Sequence, residues 1–444
     1  MAEKMVLGVH DRPKAGKWFA LSFQHVFAMF GATVLVPMLT GLSVSVALFS
    51  SGVGTLIYIL CTKKKVPIYL GSSFAYIAYI NAAFAATGGT SFGAAMTGLV
   101  IVGLIYLVIS LIIKFVGTKW LDKLLPPVVV GPMIMVIGLG LAATAVKNAG
   151  LVAGGDYRLI VVSLLTMILT ACLAIKGKGF LKVIPFLIGI AGGYLFACLL
   201  GLIPNGSYPV LVDFTKVIEV IKTPSEWFAL PDFMILGWKD QPLFANVKMI
   251  QVNFAAAISV IPLAVVTICE HIGDHKVLGK ITGEDYIKDP GLHRTLMGDG
   301  LATMFAGLIG GPANTSYGEN TSVVGITKVA SVWVTGGAAV LAIFLSTFNV
   351  FTTLIETIPQ AVMGGVCLIL YGFIASNGLK TLFDSKVDMT KTRNLIIISV
   401  MLVVGIGGAV ISYGIVSFTG MALSAIIGVI LNTVLPKEDK KKIE

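Results

Sequence analysis

Apolar runs of membrane-crossing length, separated by short polar joints, recur about fourteen times along the chain. The first seven read as roughly 18–40, 44–62, 66–87, 92–116, 125–147, 158–176 and 182–204. A polar stretch over 205–251 follows. The second seven read as roughly 252–272, 293–311, 313–329, 330–349, 358–376, 392–411 and 416–435. Several are too short or too rich in glycine to be plain helices. The tenth is the plainest case, with GPANTSYGENTSVVGITK running from Gly311 to Lys328 between two segments that themselves read as spans. A carboxylate and broken backbone at membrane depth are costly, and they persist mainly where they line a binding site.

Composition agrees with the pattern. Of 444 residues, 56% are hydrophobic and 12% charged, and the mean hydropathy is +0.93. A soluble chain of this length needs far more charged surface, so the class is a polytopic helical membrane protein. The first 17 residues are polar and basic and do not read as a signal peptide. The five cysteines (Cys61, Cys172, Cys198, Cys269, Cys367) lie in or at the ends of apolar runs without metal-ligand spacing, which predicts core packing and no disulfide framework.

The net charge of +10 reflects membrane topology, with no nucleic-acid partner implied. An even number of spans puts both termini on one side, together with Lys63–Lys65, Lys176, Lys178, Lys182, the basic residues of 276–294, those of 380–393 and the tail lysines. Only Lys147, Arg158, Lys216, Lys222, Lys239 and Lys248 fall opposite. The excess of Lys and Arg predicts cytoplasmic termini.

A weak repeat of seven spans plus seven organises the chain. The third span opens PIYLGSSFAYIAY from Pro67, and the tenth opens GPANTSYGEN. Each has Pro, then small or polar residues, then an aromatic (Phe74 or Tyr317), then a short helical run. The first span carries Gln24-His25 where the eighth carries Glu270-His271. Seven is odd, so the second copy is inverted. Paired interrupted segments in inverted halves point to the binding site of a secondary transporter.

Candidate residues cluster at these places. Glu319 follows Tyr317-Gly318 where an extended stretch gives way to a half-helix. Glycine lets backbone approach a ligand, and a helix start leaves N–H donors free. A carboxylate beside free donors suits a planar molecule with N–H and C=O edges, although a carboxylate capping the helix start is the plainer alternative. Glu270 ends the apolar run AVVTICEHIGDH and stands opposite Glu319 across the repeat; an interfacial residue leaving the membrane is its simpler alternative. Either buried carboxylate could carry a proton. His271 and Asp274 are weaker candidates for proton coupling, and His25, with Gln24 beside it, for a polar network. Phe74 and Tyr317 could pack on a ring, with backbone of the third and tenth spans bonding its carbonyls. Ser73, Asn314, Thr315, Ser316 and Asn320 could satisfy backbone opened by the breaks. Gly138, Gly140, Gly192-Gly193 and Gly364-Gly365 suit close helix packing. No metal or cofactor motif stands out, so a membrane enzyme is a distant reading.

At these residues the chain resembles the nucleobase–ascorbate transporter family, in its bacterial uracil permease branch. The resemblance runs over essentially the whole chain. The family signature, Gln/Glu/Pro-Asn-x-Gly-x-x-x-x-Thr-Arg/Lys/Gly, is opened here by Glu319-Asn320 and closed by Thr327-Lys328, with Ser322 at the usual glycine. Glutamate at the first position is similar to the uracil branch, whereas purine permeases usually carry glutamine.

The resemblance implies fourteen segments in two inverted repeats with short strands in spans 3 and 10. It implies a core domain (18–116 and 252–349) and a gate domain (125–204 and 358–435). An N-terminal cytoplasmic tail (1–17), an extracellular loop (205–251) and a C-terminal tail (436–444) complete the chain. It implies that Glu270 and Glu319 accept the ring N–H groups of uracil, that backbone at Phe74 and Gly318 meets the carbonyls, and that His25 and Tyr317 support them. Some relatives place His four residues after the first Glu; here Asp274 holds that place with His275 beside it. The expected function is uracil import by proton symport across a bacterial inner membrane, with protons as the coupling ion, no other cofactor, and a homodimer through the gate domains. A purine or xanthine permease of the same fold and an anion transporter or channel of similar architecture are the alternatives.

Overall fold

The computed structural model describes residues 5–436, apart from 180, 182–183, 203–209, 245, 255–256 and 414–415. The expected charged tail therefore lies almost wholly outside the described residues. Without water to compete for backbone groups, each apolar run satisfies its N–H and C=O groups internally as helix.

The first half contains α1 (Ala15–Thr40), α2 (Val44–Cys61), β1 (Leu70–Ser72), α3 (Ile77–Ala86), α4 (Gly93–Val116), α5 (Lys119–Leu124), α6 (Pro127–Gly140), α7 (Ala142–Asn148), α8 (Tyr157–Lys176) and α9 (Pro185–Gly201). The long connection carries α10 (Thr215–Lys222) and a sheet of β2 (Met234–Gly237), β3 (Gln241–Phe244) and β4 (Val247–Gln251) in the order β2-β4-β3. The second half contains α11 (Ile261–Thr282), α12 (Leu292–Ile309), β5 (Asn314–Ser316), α13 (Gly318–Thr327), α14 (Val332–Thr347), α15 (Asn349–Glu356), α16 (Gln360–Asp384), α17 (Thr392–Ile406), β6 (Val410–Tyr413), β7 (Val416–Thr419) and α18 (Gly420–Val434). Among the described residues, seven helical stretches are long and apolar enough to cross a membrane, and shorter apolar helices complete the set.

The packing carries the repeat. In one group α4 lies on α12 as α14 lies on α2, while α2 meets α12 and β1 meets β5. In the other, α8 pairs with α9 as α17 pairs with α18, α8 meets α16 as α17 meets α6, and α6 meets α16. Exchanging the two halves maps this set of contacts onto itself. The chain is thus a polytopic helical membrane protein built from two inverted seven-span repeats, with a core group and a gate group. The two groups touch where α1 meets α9, where its repeat mate α11 meets α18, and where α11 meets α6.

Close approach needs small residues. A Cβ on Gly103 of α4 would stand 2.6 Å from the Gly300 carbonyl of α12, and one on Gly138 of α6 would stand 2.3 Å from the Tyr371 carbonyl of α16. Gly140 is different: the nearest neighbour of a Cβ there is a Met421 methyl at 3.9 Å, so tight packing does not explain it.

Several boundaries move. The eighth span, read as 252–272, is a helix that runs on to Thr282, so Glu270 and Asp274 lie inside α11 and not at its exit. Hydropathy falls just after Cys269 because the helix turns Glu270, His271, Asp274 and His275 into the protein, whereas Lys276 and Lys280 further along it are exposed. Spans 13 and 14 end earlier and begin later than read, with the hairpin β6–β7 between them. The N-terminal tail is partly docked. Val6 and Leu7 donate N–H bonds to the Lys328 carbonyl (2.8 and 3.2 Å), and Ala330 donates to Leu7 (2.9 Å). Helix α1 already starts at Ala15.

Candidate functional site

The two interrupted spans meet strand to strand. β1 and β5 pair antiparallel with Leu70 opposite Ser316, Gly71 opposite Thr315 and Ser72 opposite Asn314. Flanking bonds extend the pairing: Ser73 N–H donates to Ala313 O (2.8 Å) and Tyr317 N–H to Tyr69 O (3.1 Å). Each strand gives way at once to a helix start, through a tight turn at Phe74–Tyr76 in one span and directly at Gly318 in the other. Both strands are wholly buried, and each leads into a helix start whose first N–H groups have no intrahelical acceptor.

Tyr317 locks the crossing. Its hydroxyl donates to the Ser72 carbonyl (2.9 Å) and accepts from Thr33 (3.3 Å), and its ring lies over Gly71. A Cβ on Gly71 would stand 2.4 Å from that ring, so only glycine fits. Gly318 is the opposite case. It is exposed, and a Cβ there would meet nothing within 4 Å. Open space therefore adjoins the α13 N-terminus.

Helix α11 presents two pairs of polar residues at four-residue spacing. Glu270 and Asp274 form one pair; Asp274 accepts from Ser316 of β5 (2.7 Å). The carboxylate of Glu270 is in electrostatic reach of Asp274, Asp299 and Glu319, and its Oε2 is buried with no hydrogen-bond partner among the described residues. His271 and His275 form the other pair. His271 meets Asp299 Oδ2 through Nδ1 (3.1 Å) and Thr295 Oγ1 through Nε2 (3.0 Å). His275 donates from Nδ1 to the His271 carbonyl (2.6 Å), which leaves its Nε2 to accept from the Tyr58 hydroxyl.

The remaining predicted residues divide. Asn320 donates from Nδ2 to His25 Nδ1 (3.2 Å) and to the His25 carbonyl (3.1 Å), tying the half-helix α13 to α1. Gln24 is not that partner, because adjacent helical residues face different ways. Asn314 donates to the Ser50 and Ala302 carbonyls (3.1 Å each), so its side chain ties the tenth span to the helices α2 and α12 and does not serve the backbone opened by the break. Ser73 Oγ, Thr315 Oγ1 and Asn320 Oδ1 are buried without partners among the described residues. Orphaned polar atoms in a buried cluster mark a place where a ligand or water completes the bonding. Phe74 packs edge-on against Tyr371 of α16, ring centroids 6.1 Å apart, so this break abuts the gate group.

Asp299, Thr295 and Tyr58 escaped the sequence reading, as did a bond between Tyr76 and Thr267 (2.8 Å) that ties the third span to α11. Asp299 had a signal of its own: a carboxylate inside a span is by default a functional candidate.

Comparison with known proteins agrees with this architecture. A family model described as a permease family matches residues 16–413. A uracil permease of Bacillus caldolyticus is 51% identical over 436 residues, covering 98% of this chain and 95% of that protein. A uracil permease of Bacillus subtilis (strain 168) is 49% identical, covering 100% of this chain and 98% of the relative. Among solved structures, the transmembrane domain of the cyanobacterium bicarbonate transporter BicA aligns with a TM-score of 0.62 at 14% identity, covering 97% of this chain and all of that domain. That likeness concerns the fold. The relatives are named as permeases and not as enzymes, and the chain belongs to the nucleobase–ascorbate transporter family of permeases.

Proposed function

We propose that this protein imports uracil by proton symport, through movement of the core domain (18–116 and 252–349) against the gate domain (125–204 and 358–435). One observation carries the reading: Glu270 leaves a buried carboxylate oxygen unpartnered, within electrostatic reach of Glu319 at an open-sided helix start. Uracil offers two ring N–H donors and two carbonyl acceptors. Glu270 and Glu319 accept the N–H groups, while the N–H groups of Phe74 and Gly318 donate to the carbonyls. Tyr317 holds the strands in register, and Asn320 with His25 holds the half-helix. The names of relatives aligned over nearly their full length favour uracil over a purine.

The fold likeness to a bicarbonate transporter favours no anion here, because Glu270, Asp274 and Glu319 present acceptors where an anion needs donors. No enzymatic step and no cofactor beyond the proton are required. One proton entering down about 100 mV supplies roughly 2.3 kcal/mol, or about fifty-fold accumulation of a neutral solute. In this reading both termini face the cytoplasm of a bacterial inner membrane, and the gate domains pair in a homodimer. The test is competition of labelled uracil uptake by unlabelled uracil, xanthine and bicarbonate. Uracil alone is expected to compete at low concentration; equal competition by xanthine or bicarbonate would overturn the substrate assignment.

A further inference from the structure

We infer that the coupling proton is held by the buried His271–Asp299 pair, with the Thr295 hydroxyl turning between two acceptors as the proton arrives and leaves. This rests on the proton-coupled reading above and locates its proton away from the two glutamates assigned to the substrate.

The argument comes from hydrogen-bond valence. Thr295 has one hydroxyl proton and two acceptors in reach, the Leu292 carbonyl at 3.1 Å and His271 Nε2 at 3.0 Å. When the hydroxyl points at Leu292, only its lone pairs face Nε2, so Nε2 must carry hydrogen and donate. A neutral ring then has a bare Nδ1, and Asp299, 3.1 Å away, must be the protonated acid that donates to it. When the hydroxyl turns to Nε2, that nitrogen is bare, Nδ1 carries the hydrogen, and Asp299 is a carboxylate that accepts. The two states share one set of heavy-atom positions and differ by one proton. Unloading breaks the Asp299 O–H bond as the Nδ1–H bond forms, and breaks the Nε2–H bond as that proton is handed to water. The hydroxyl then swings onto the emptied nitrogen.

The surroundings make the two states unequal. Asp299 and His271 are both fully buried, and Asp299 Oδ1 has no partner among the described residues. The groups in electrostatic reach of Asp299 are Glu270 and Asp274 on α11, Tyr58 on α2, Tyr76 in the third span and Tyr106 on α4, none of them a cation. The ring of His275 lies 4.0 Å from that of His271, but its Nδ1–H is committed to the His271 carbonyl and its Nε2 to Tyr58. Among the described residues, the unloaded carboxylate is left with one hydrogen bond, from the Nδ1–H of the neutral His271 ring, and with no cation. Loading the pair removes a negative charge beside Glu270 and so favours the arrangement in which Glu270 and Glu319 share a substrate.

The test uses the full-length protein in liposomes, comparing the parent with Asp299→Asn and His271→Gln. Three readouts apply to each: equilibrium uracil binding, uracil counterflow without a gradient, and accumulation driven by an inward proton gradient. Each variant is expected to keep binding within about threefold and to keep counterflow, while gradient-driven accumulation falls to the equilibrium level and uptake loses its dependence on pH. An infrared band of a protonated carboxylic acid in the parent is expected to disappear in Asp299→Asn. An asparagine for Asp299 and a glutamine for His271 each keep the packing without a titrating group, so if one variant fails to fold the other carries the test. Gradient-driven accumulation in either variant, with the parent coupled, would overturn this inference alone. Loss of uracil binding would overturn it too, by placing the pair in the substrate site. A parent that never accumulates uracil would overturn the proton-coupled reading and this inference with it.

Discussion

The breaks in the third and tenth spans share a backbone but not a chemistry. Both run as buried strand into helix start, and the strands pair with each other. The third offers Ser73, Phe74 and the backbone, and its ring packs on the gate helix α16. The tenth offers Glu319 and Asn320, with α1 bound through His25 and α11 through Ser316 and Asp274. The repeat supplies two symmetric sets of backbone donors, and side chains on one copy alone supply the acceptors. An asymmetric planar ligand with both donor and acceptor edges fits between unlike halves better than between identical ones. The two glycines show the same division: Gly71 is filled by a neighbouring ring and Gly318 opens onto space.

The largest expected effect is at the acidic half. Glu319→Gln removes a charge-assisted bond worth roughly 1.5–3 kcal/mol and should weaken uracil binding at least ten- to a hundredfold. Near-normal affinity in an equilibrium binding assay would remove Glu319 from the site. The glycine pair comes next. Gly71→Ala should destabilise the protein by about 1–3 kcal/mol through overpacking against Tyr317, visible as a lower melting temperature in detergent. Gly318→Ala should leave melting unchanged or slightly raised, yet weaken uracil binding about tenfold because the new methyl fills the open space. If the two alanines behave alike, the distinction between a structural and a ligand-facing glycine fails. Asn320→Ala should cost about 1–3 kcal/mol, since it leaves the His25 carbonyl and ring nitrogen without their donor. The smallest effect is expected from Tyr76→Phe, which removes one hydroxyl bond to Thr267 for roughly 0.5–1.5 kcal/mol and should leave uracil affinity within about twofold. Affinity falling as far as in Glu319→Gln would show that the third span contributes more than backbone.

Much of this was legible in the chain itself. Hydropathy reveals spans because backbone must be satisfied within each segment, and the odd repeat forces inversion. The strand-to-helix breaks at Gly71–Phe74 and Thr315–Glu319 were readable because Pro, Gly and small polar residues interrupt apolar runs. Hydropathy failed at α11, where Glu270, His271, Asp274 and His275 turn toward the protein and mimic a loop. It gave no weight to Asp299 either, which has no partner across the repeat and lies in the mixed stretch LMGDGLATMF. Its meaning comes from His271, which is 28 positions away, just as His25 finds its donor 295 positions away. Pairings of that kind arise from helix packing and leave no local periodicity to read.

The most direct test of the account is radiolabelled uracil uptake into liposomes containing the purified protein, with and without an imposed inward proton gradient. Saturable accumulation above the equilibrium level, present only with the gradient, is the predicted result. Uptake that merely equilibrates under the same gradient, or no uracil uptake by folded protein, would contradict it.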